Sequence, residues 1–421
     1  METIKQQWTQ LDQEIRSWWD GDIKQATEKE LRDPEANKVW HSDPEHEQQE
    51  QHDAFSLMFL PFPYISSAGS EEAFPEMYCW DIYFINAGLL HHGRADIVYN
   101  HLLNHLFQIL RFGVVLNGNR SFYTTRSQTP LLAPDVWRYF EATRDTDLLL
   151  LAYPLLKKQY NEYWDADHHR TPIGLTTNRD LGDPSLRPEL AAEAEIMDFT
   201  PIFGGDVRNC VPLLTNCALV RYTHVLGLIA KQIGLKSEAA HWNQVTSKRK
   251  ERIQKYCWNR DKQFFFEYNY VDGQQLECYS HCAYWTLWAD VATPEQAKAL
   301  VDQLHRIEFD HGVAMTDRIY PSPHPEFEWL QFEYPAGWPP MQMIMVDALK
   351  RYGYTKDAQR IAEKYLRLML RIHKETGSLW EKYNVVEGNL TFPKERYELP
   401  PFHGWSSAAI ADLGRHLFEE S

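Results

Sequence analysis

Residues 339–377, PPMQMIMVDALKRYGYTKDAQRIAEKYLRLMLRIHKETG, decide the fold. They read as two helices, 339–352 and 355–374, placed back to back. Gly353 closes the first, because glycine takes the left-handed conformation of a helix end without steric cost, and Thr355 opens the second. The same unit recurs along the chain. Helical periodicity spans roughly 82–93, 95–112, 131–144, 147–164, 211–233, 236–258, 279–291, 294–306 and 404–418, with Gly234 and Thr293-Pro294 as further punctuation. Residues 1–31 add an amphipathic helix, with Trp8, Leu11, Ile15 and Trp18-Trp19 at helical spacing. About twelve helices in six hairpins result. Between alternate pairs lie long stretches rich in Pro, Gly and aromatic residues, at 65–80, 113–130, 165–210, 307–338 and 375–403. Long connections in a compact domain are either functional or disordered, and these are too aromatic for disorder. A solenoid would have short loops and near-identical repeats, and neither holds here. The expected architecture is therefore all-α, an (α/α)6 toroid whose long connections build a pocket at one end. Residues 54–421 are expected to form this toroid, the domain that carries the site. Residues 1–53 are a helix and a polar linker, with two Asp-Pro steps, packed against it; the stretch FSLMFLPFPYISSA at 55–68 does not fit a helix.

Composition narrows the partners. An apolar fraction of 43% over 421 residues is enough for a sizeable core and excludes disorder. Aromatics reach 14%, including 15 Trp and 22 Tyr, side chains whose flat faces suit both a large core and stacking on sugar rings. Lys and Arg number 43 against 59 Asp and Glu, a formal charge of −16 that repels phosphate backbones and anionic lipid. Nucleic acid and membrane surfaces are thus not expected as partners, and oligomeric state stays open. Six cysteines show no CxxC pair; Cys278 and Cys282 stand one helical turn apart without converging ligands, so buried free thiols and no metal are expected. The N-terminus lacks an apolar core of the signal-peptide kind, and no stretch of 18 apolar residues occurs. A cytoplasmic protein is the expectation.

Four connections concentrate aromatic, carboxylate, amide and guanidinium side chains. The first, Phe74 to Phe84 (FPEMYCWDIYF), sets Tyr78, Trp80 and Asp81 at the mouth of a helix. There an indole can stack on a pyranose while the carboxylate accepts from vicinal hydroxyls; the plainer alternative is an aromatic core with Asp81 as an N-cap. The second, Asn117 to Pro130 (NGNRSFYTTRSQTP), offers Asn117, Arg126 and Gln128 as donors for hydroxyl pairs. The third, Gln331 to Gln342 (QFEYPAGWPPMQ), fixes Trp338 between prolines. The fourth, Trp380 to Asn384 (WEKYN), is followed by a loop ending at His403-Gly404-Trp405.

These clusters resemble the trehalase family of glycoside hydrolases. FPEMYCWDIYF is similar to that family's first motif and QFEYPAGWPPMQ to its second. LNGNRSFYTTRSQTP and VPLLTNCALVRY resemble two further family stretches, in collinear order from about residue 70 to 410. The resemblance implies an (α/α)6 toroid and an inverting glycosidase with two carboxylic residues, no metal and no cofactor. Inversion needs one carboxylic acid to protonate the glycosidic oxygen and one carboxylate to activate water on the opposite face, roughly 6.5–9.5 Å apart. Glu381 matches the family's general base. Asp198, in AEIMDFTPIF, is the choice for the general acid, although the family's Gly-Trp before it is lost. Its neighbours Ile196, Met197 and Phe199 are apolar, as an acid that must hold its proton requires. Asp206, after two glycines, and Asp183, in the polar run TTNRDLGDPS, remain rivals. Arg187 and Glu189, in Arg-Pro-Glu, resemble a substrate-binding motif, and Arg126 matches a second binding Arg; Phe74, Trp338 and Trp405 complete the expected lining.

Two departures stand out: Ala73 replaces an Arg before the first motif, and EGNLTFPKERYELPPFHGW replaces the glycine-rich lid. Both concern the leaving-group side. Trehalose or a trehalose-like glycoside is the expected substrate. Alternatives are glucosylglycerol, glucosylglycerate or mannosylglycerate; Lys394, Arg396 and His403 are the candidates for the extra basic residue that a charged aglycone needs. A sugar isomerase or epimerase would work through paired histidines, which the motifs lack. A non-catalytic sugar-binding toroid would not need both acids.

Overall fold

A computed structural model describes residues 3–25, 57–69, 74–120, 123–182, 187–394 and 397–419. The helices, in chain order, are α1 (Ile4–Gly21), α2 (Cys79–His91), α3 (Ala95–Phe112), α4 (Leu132–Thr143), α5 (Thr146–Gln159), the short α6 (Pro188–Glu193), α7 (Leu213–Gln232), α8 (Lys236–Cys257), α9 (Trp285–Trp288), α10 (Pro294–Asp302), α11 (Pro339–Arg351), α12 (Thr355–Thr376) and α13 (Gly404–Phe418). Contacts between them close a ring: α2 meets α4, α4 meets α7, α7 meets α9, α9 meets α11, α11 meets α13, and α13 returns to α2. Each partner in sequence lies outside that ring, α3 against α2, α5 against α4, α8 against α7, α12 against α11, and α1 against α13. Among the described residues, six inner helices and these five outer ones follow the expected toroid.

Residue chemistry explains which helix goes where. α2, α7, α11 and α13 are buried almost all round, as a helix enclosed by neighbours must be. α12 is two-faced: Ala358, Ile361, Tyr365, Met369 and Ile372 are buried, while Lys356, Arg360, Arg367 and Arg371 are exposed. α7 is long and apolar enough by composition to cross a membrane, yet most of it is buried inside the ring, which accounts for its apolar character. The seam between α2 and α13 depends on Gly88, where a Cβ would sit 2.7 Å from Ala408 Cα. All six cysteines are buried and free.

Helix positions follow the sequence expectation with local corrections. The first helix, expected over 1–31, ends at Gly21. Asp22 caps it, and Ile23–Lys24 pairs antiparallel with Tyr64–Ile65, which draws the chain off the helix axis. The linker expected to reach residue 53 lies, from residue 26, outside the described residues. α2 starts at Cys79 rather than residue 82, so Asp81 stands in its first turn and is not the N-cap; Tyr78 is. The helix expected over 147–164 gives way at Gln159 to a π turn, Tyr160–Trp164. The 279–291 segment is a 3-10 turn, His281–Tyr284, and the single turn α9, ended by Asp290 in the left-handed region at φ 54°. Thr293 forms the expected cap, a reciprocal box with Gln296.

α1 is fixed to the ring by polar contacts as well as burial. Trp8 Nε1 donates to Ile410 O at 2.9 Å, its indole filling the notch left by Gly414. Asp12, His91 and His92 bring ligand atoms within 4.8 Å of one another, a spacing a metal ion can use. However, Trp19 Nε1, which can only donate, is 2.8 Å from His92 Nδ1. His92 therefore carries its proton on Nε2 and donates it to Asp12 Oδ1 at 2.9 Å. The trio docks α1 and does not present three lone pairs.

Candidate active site

The N-terminal ends of the inner helices and the long connections meet at one end of the ring. The second connection shapes the start of α2. Cys79 N donates to Asn117 O at 2.9 Å, Met77 N to Asn119 Oδ1 at 2.8 Å, and Trp80 N to Gln128 Oε1 at 3.1 Å. Asn117 Nδ2 reaches the opposite way, to Ala194 O at 2.8 Å, tying this connection to the segment that carries Asp198. The amides expected to meet substrate thus also hold backbone. Beneath them Glu76 and Arg120, both wholly buried, pair at 2.6 Å.

Three of the expected carboxyl groups influence one another electrostatically. Asp81 is 3% exposed. Burial pushes its carboxyl well above the usual range, and the charges of Glu381 and Asp198 push it further. Glu381 is buried and held from several sides: Oε2 accepts from Lys382 Nζ at 2.9 Å, Oε1 from the Tyr397 hydroxyl at 2.8 Å, and its carbonyl from Trp405 Nε1 at 3.1 Å. Lys382 is itself fully buried, its ammonium 4.9 Å from the centre of the Trp338 ring.

Asp198 is half-buried, and Gln331 Nε2 donates to its carbonyl at 3.3 Å. The next residue, Phe199, is left-handed at φ 61°, a conformation that costs a non-glycine residue of order 1–3 kcal/mol. Neighbouring bonds secure it: Phe332 N donates to Phe199 O at 3.2 Å, and Thr200 Oγ1 donates to Phe332 O at 3.0 Å. Thr200 N donates to Glu193 Oε1 at 2.8 Å. Glu193 lies wholly buried; burial pushes its carboxyl up to about 8, with the Asp198 charge acting the same way. Burial likewise raises Glu333 to about 7.

Aromatic rings wall this centre. Trp80 stands edge-on to Trp405 at 6.2 Å, Trp405 edge-on to Trp338 at 5.8 Å, and Trp338 lies flat on Phe332 at 4.0 Å. Phe74 contacts Tyr78 at 6.3 Å, and Tyr78 contacts Tyr123 at 5.8 Å. Arg126 lies over Tyr123 and pairs with Asp180 at 2.5 Å.

Other expected residues fall elsewhere. Arg187 caps α6 and binds Glu189 at 3.0 Å, Glu326, and His324 Nδ1 at 3.2 Å, in a partly exposed network that joins two connections. Asp206 is bound through both oxygens by Arg208, at 2.8 and 2.7 Å. Asp183 and Arg396 lie outside the described residues, and His403 stacks on Trp18 at 5.0 Å. Sequence reasoning missed Glu193, Tyr123, Asp180 and Tyr397, and overlooked what Glu195 does. Glu195 accepts from His169 Nε2 at 3.0 Å, Asn178 Nδ2 at 3.1 Å and Arg179 N at 2.9 Å, besides the Tyr163 hydroxyl. Only its place three residues before Asp198 hinted at that scaffold.

A ring of helical hairpins with buried carboxyl groups beside an indole wall supplies the residue types that acid–base cleavage of a glycosidic bond uses. The trehalase family profile matches residues 4–189 and 198–416, and the chain belongs to that family. The interruption falls on the residues just before Asp198. A probable trehalase of Eremothecium gossypii is 30% identical over 390 residues, covering 78% of this chain and 52% of that protein. A cytosolic neutral trehalase of Kluyveromyces lactis is 29% identical, with 78% and 52% covered. The chain thus spans about half the length of these curated relatives. In fold it is similar to the neutral trehalase Nth1 of Saccharomyces cerevisiae, with a TM-score of 0.80 at 22% identity over 98% of this chain and 94% of that one.

Proposed function

We propose that this chain hydrolyses trehalose, or a closely trehalose-like α-glucoside, with inversion, using Asp198 as general acid and Glu381 as general base. The observation that carries this reading is the buried Glu381, held by Lys382 and Tyr397, with Trp405 bonded to its carbonyl and packed against Trp80 and Trp338. Asp198 gives its proton to the glycosidic oxygen as the bond to the anomeric carbon breaks. Glu381 takes a proton from the water that attacks that carbon from the opposite face, and two glucose molecules result. The Lys382 ammonium and the Tyr397 hydroxyl each donate to one oxygen of Glu381 and fix the carboxylate that is to serve as base. Phe74, Tyr78, Trp80, Asp81, Asn117, Arg126, Gln128, Trp338 and Trp405 hold the glucose whose bond is cut. Arg187 and Glu189, on the rim, face the leaving sugar. A cytoplasmic location is supported by the name of the cytosolic Kluyveromyces lactis relative.

Incubation of the purified chain with trehalose, glucosylglycerol, glucosylglycerate and mannosylglycerate tests the substrate. Glucose released fastest from trehalose is expected. Turnover confined to one of the others would overturn the assignment.

A further inference from the structure

We infer that Tyr397 is a positioning residue for the base, its hydroxyl donating to Glu381 and holding that side chain in a fixed orientation. This rests on the reading of Glu381 as general base. Tyr397 belongs to the connection that departs from the family's glycine-rich lid. Its hydroxyl is 2.8 Å from Glu381 Oε1, while Lys382 Nζ is 2.9 Å from Oε2. The two donors thus grip the carboxylate at both ends and fix the plane of the group. Each carboxylate oxygen has two lone pairs, so either oxygen keeps one for the attacking water.

The hydroxyl is aimed by the packing of its ring. Phe74 stands edge-on to it at 6.2 Å, and Phe74 in turn contacts Phe402 at 6.0 Å, in the same connection. The Lys382 ammonium lies 5.3 Å from the ring centre on another side. The backbone of Glu381 is tied to this connection as well, through the Trp380–Pro401 bridge. The connection that closes the site therefore also delivers the group that orients the base.

The charged and titratable groups facing Glu381 are Lys382 and Tyr397 from its own connection, Asp81 from α2 and, through Asp81, Asp198. A phenol titrates near ~10 and stays neutral under assay conditions. Removing its donor disfavours the carboxylate, so the pH at which the base loses its proton rises.

The test is Tyr397→Phe, which keeps the ring on Phe74. The acid limb of kcat/KM should move to higher pH by about half to one unit, and kcat should fall roughly 5- to 30-fold with KM nearly unchanged. A purely structural role would lower activity without moving the limb. A second reading needs no turnover. Carbodiimide labels protonated carboxyl groups, so mass spectrometry of the Glu381 peptide across pH should show labelling extending to higher pH in Tyr397→Phe. Superimposable labelling and rate profiles for the variant and the natural chain would overturn the inference. Glu381→Gln separates the two failures. If it is inactive while Tyr397→Phe changes neither profile, only the role of Tyr397 falls. If Glu381→Gln turns over normally, the base assignment falls with it.

Discussion

Glu381→Gln perturbs two things that the structure makes separable. Gln has the shape of Glu but cannot take a proton, so general-base assistance is lost and kcat should fall by about 10²–10⁴-fold. The same change leaves the Lys382 ammonium, which is 0% exposed, facing a neutral amide. Removing one partner of a buried pair costs about 3–5 kcal/mol, and the lower end applies because the amide oxygen still accepts from Nζ. At about 2.1 cal/mol/K per residue the unfolding entropy of a 421-residue chain is near 0.9 kcal/mol/K, so ~3 kcal/mol lowers Tm by about 3–4 °C. Lys382 sits among the rings of Trp338, Phe392 and Tyr397, a setting that suits an apolar chain of similar length. The double variant Glu381→Gln/Lys382→Met should therefore recover most of the Tm and none of the activity. Initial rates of glucose release and calorimetric melting, on all three proteins, give the comparison. A single variant within tenfold of the natural kcat refutes the base role. An unchanged Tm in that variant refutes the buried-pair argument.

The other predictions follow from individual side chains. Asp198→Ala should lose far more activity on trehalose than on an aryl or fluoride α-glucoside, whose leaving group needs little protonation. Equal loss on both, with selective retention in Asp206→Ala or Asp183→Ala, would place the acid elsewhere. Glu267 is wholly buried and its carboxyl is pushed up to about 8 by burial. A raised acid stabilises the fold below its unfolded value near 4.5 and loses that contribution as pH climbs to 8. Tm should then fall between pH 5 and 8, and Glu267→Gln should flatten the fall, by on the order of 4 kcal/mol at most; an unchanged slope would contradict this. Since His92 Nε2 is protonated toward Asp12, a chelator such as EDTA should leave both Tm and rate unchanged, and a chelator-dependent drop in Tm would show the trio to be a metal site.

The ring was largely legible because its signals are local. Gly353 and the Thr293 cap mark helix ends through the backbone's own preferences, and the two faces of α12 show at a period of 3.6 residues. Errors arose where a distant partner decides. The strand pairing of Ile23–Lys24 with Tyr64–Ile65 ends α1 early, and nothing within residues 1–31 announces it. The site divided in the same way. Trp80, Asp81, Trp338, Glu381 and Trp405 sit in compact motifs and come together as expected. Arg187 stands out through a three-residue motif, but the contacts that hold it, with Glu326 and His324, lie well over a hundred positions away and beyond local spacing. Glu193 gave no signal, because its burial and its bond to Thr200 N exist only once the turn at Phe199 has formed.

The central claim, water activated by one carboxylate while another protonates the glycosidic oxygen, is tested most directly by the anomers released from trehalose. Proton NMR of the first turnovers, before mutarotation, should show equal β- and α-glucose: β from the attacked ring, whose configuration inverts, and α from the leaving ring, whose bond is untouched. Initial release of α-glucose alone would mean retention, and with it a covalent intermediate that contradicts the roles given to Glu381 and Asp198.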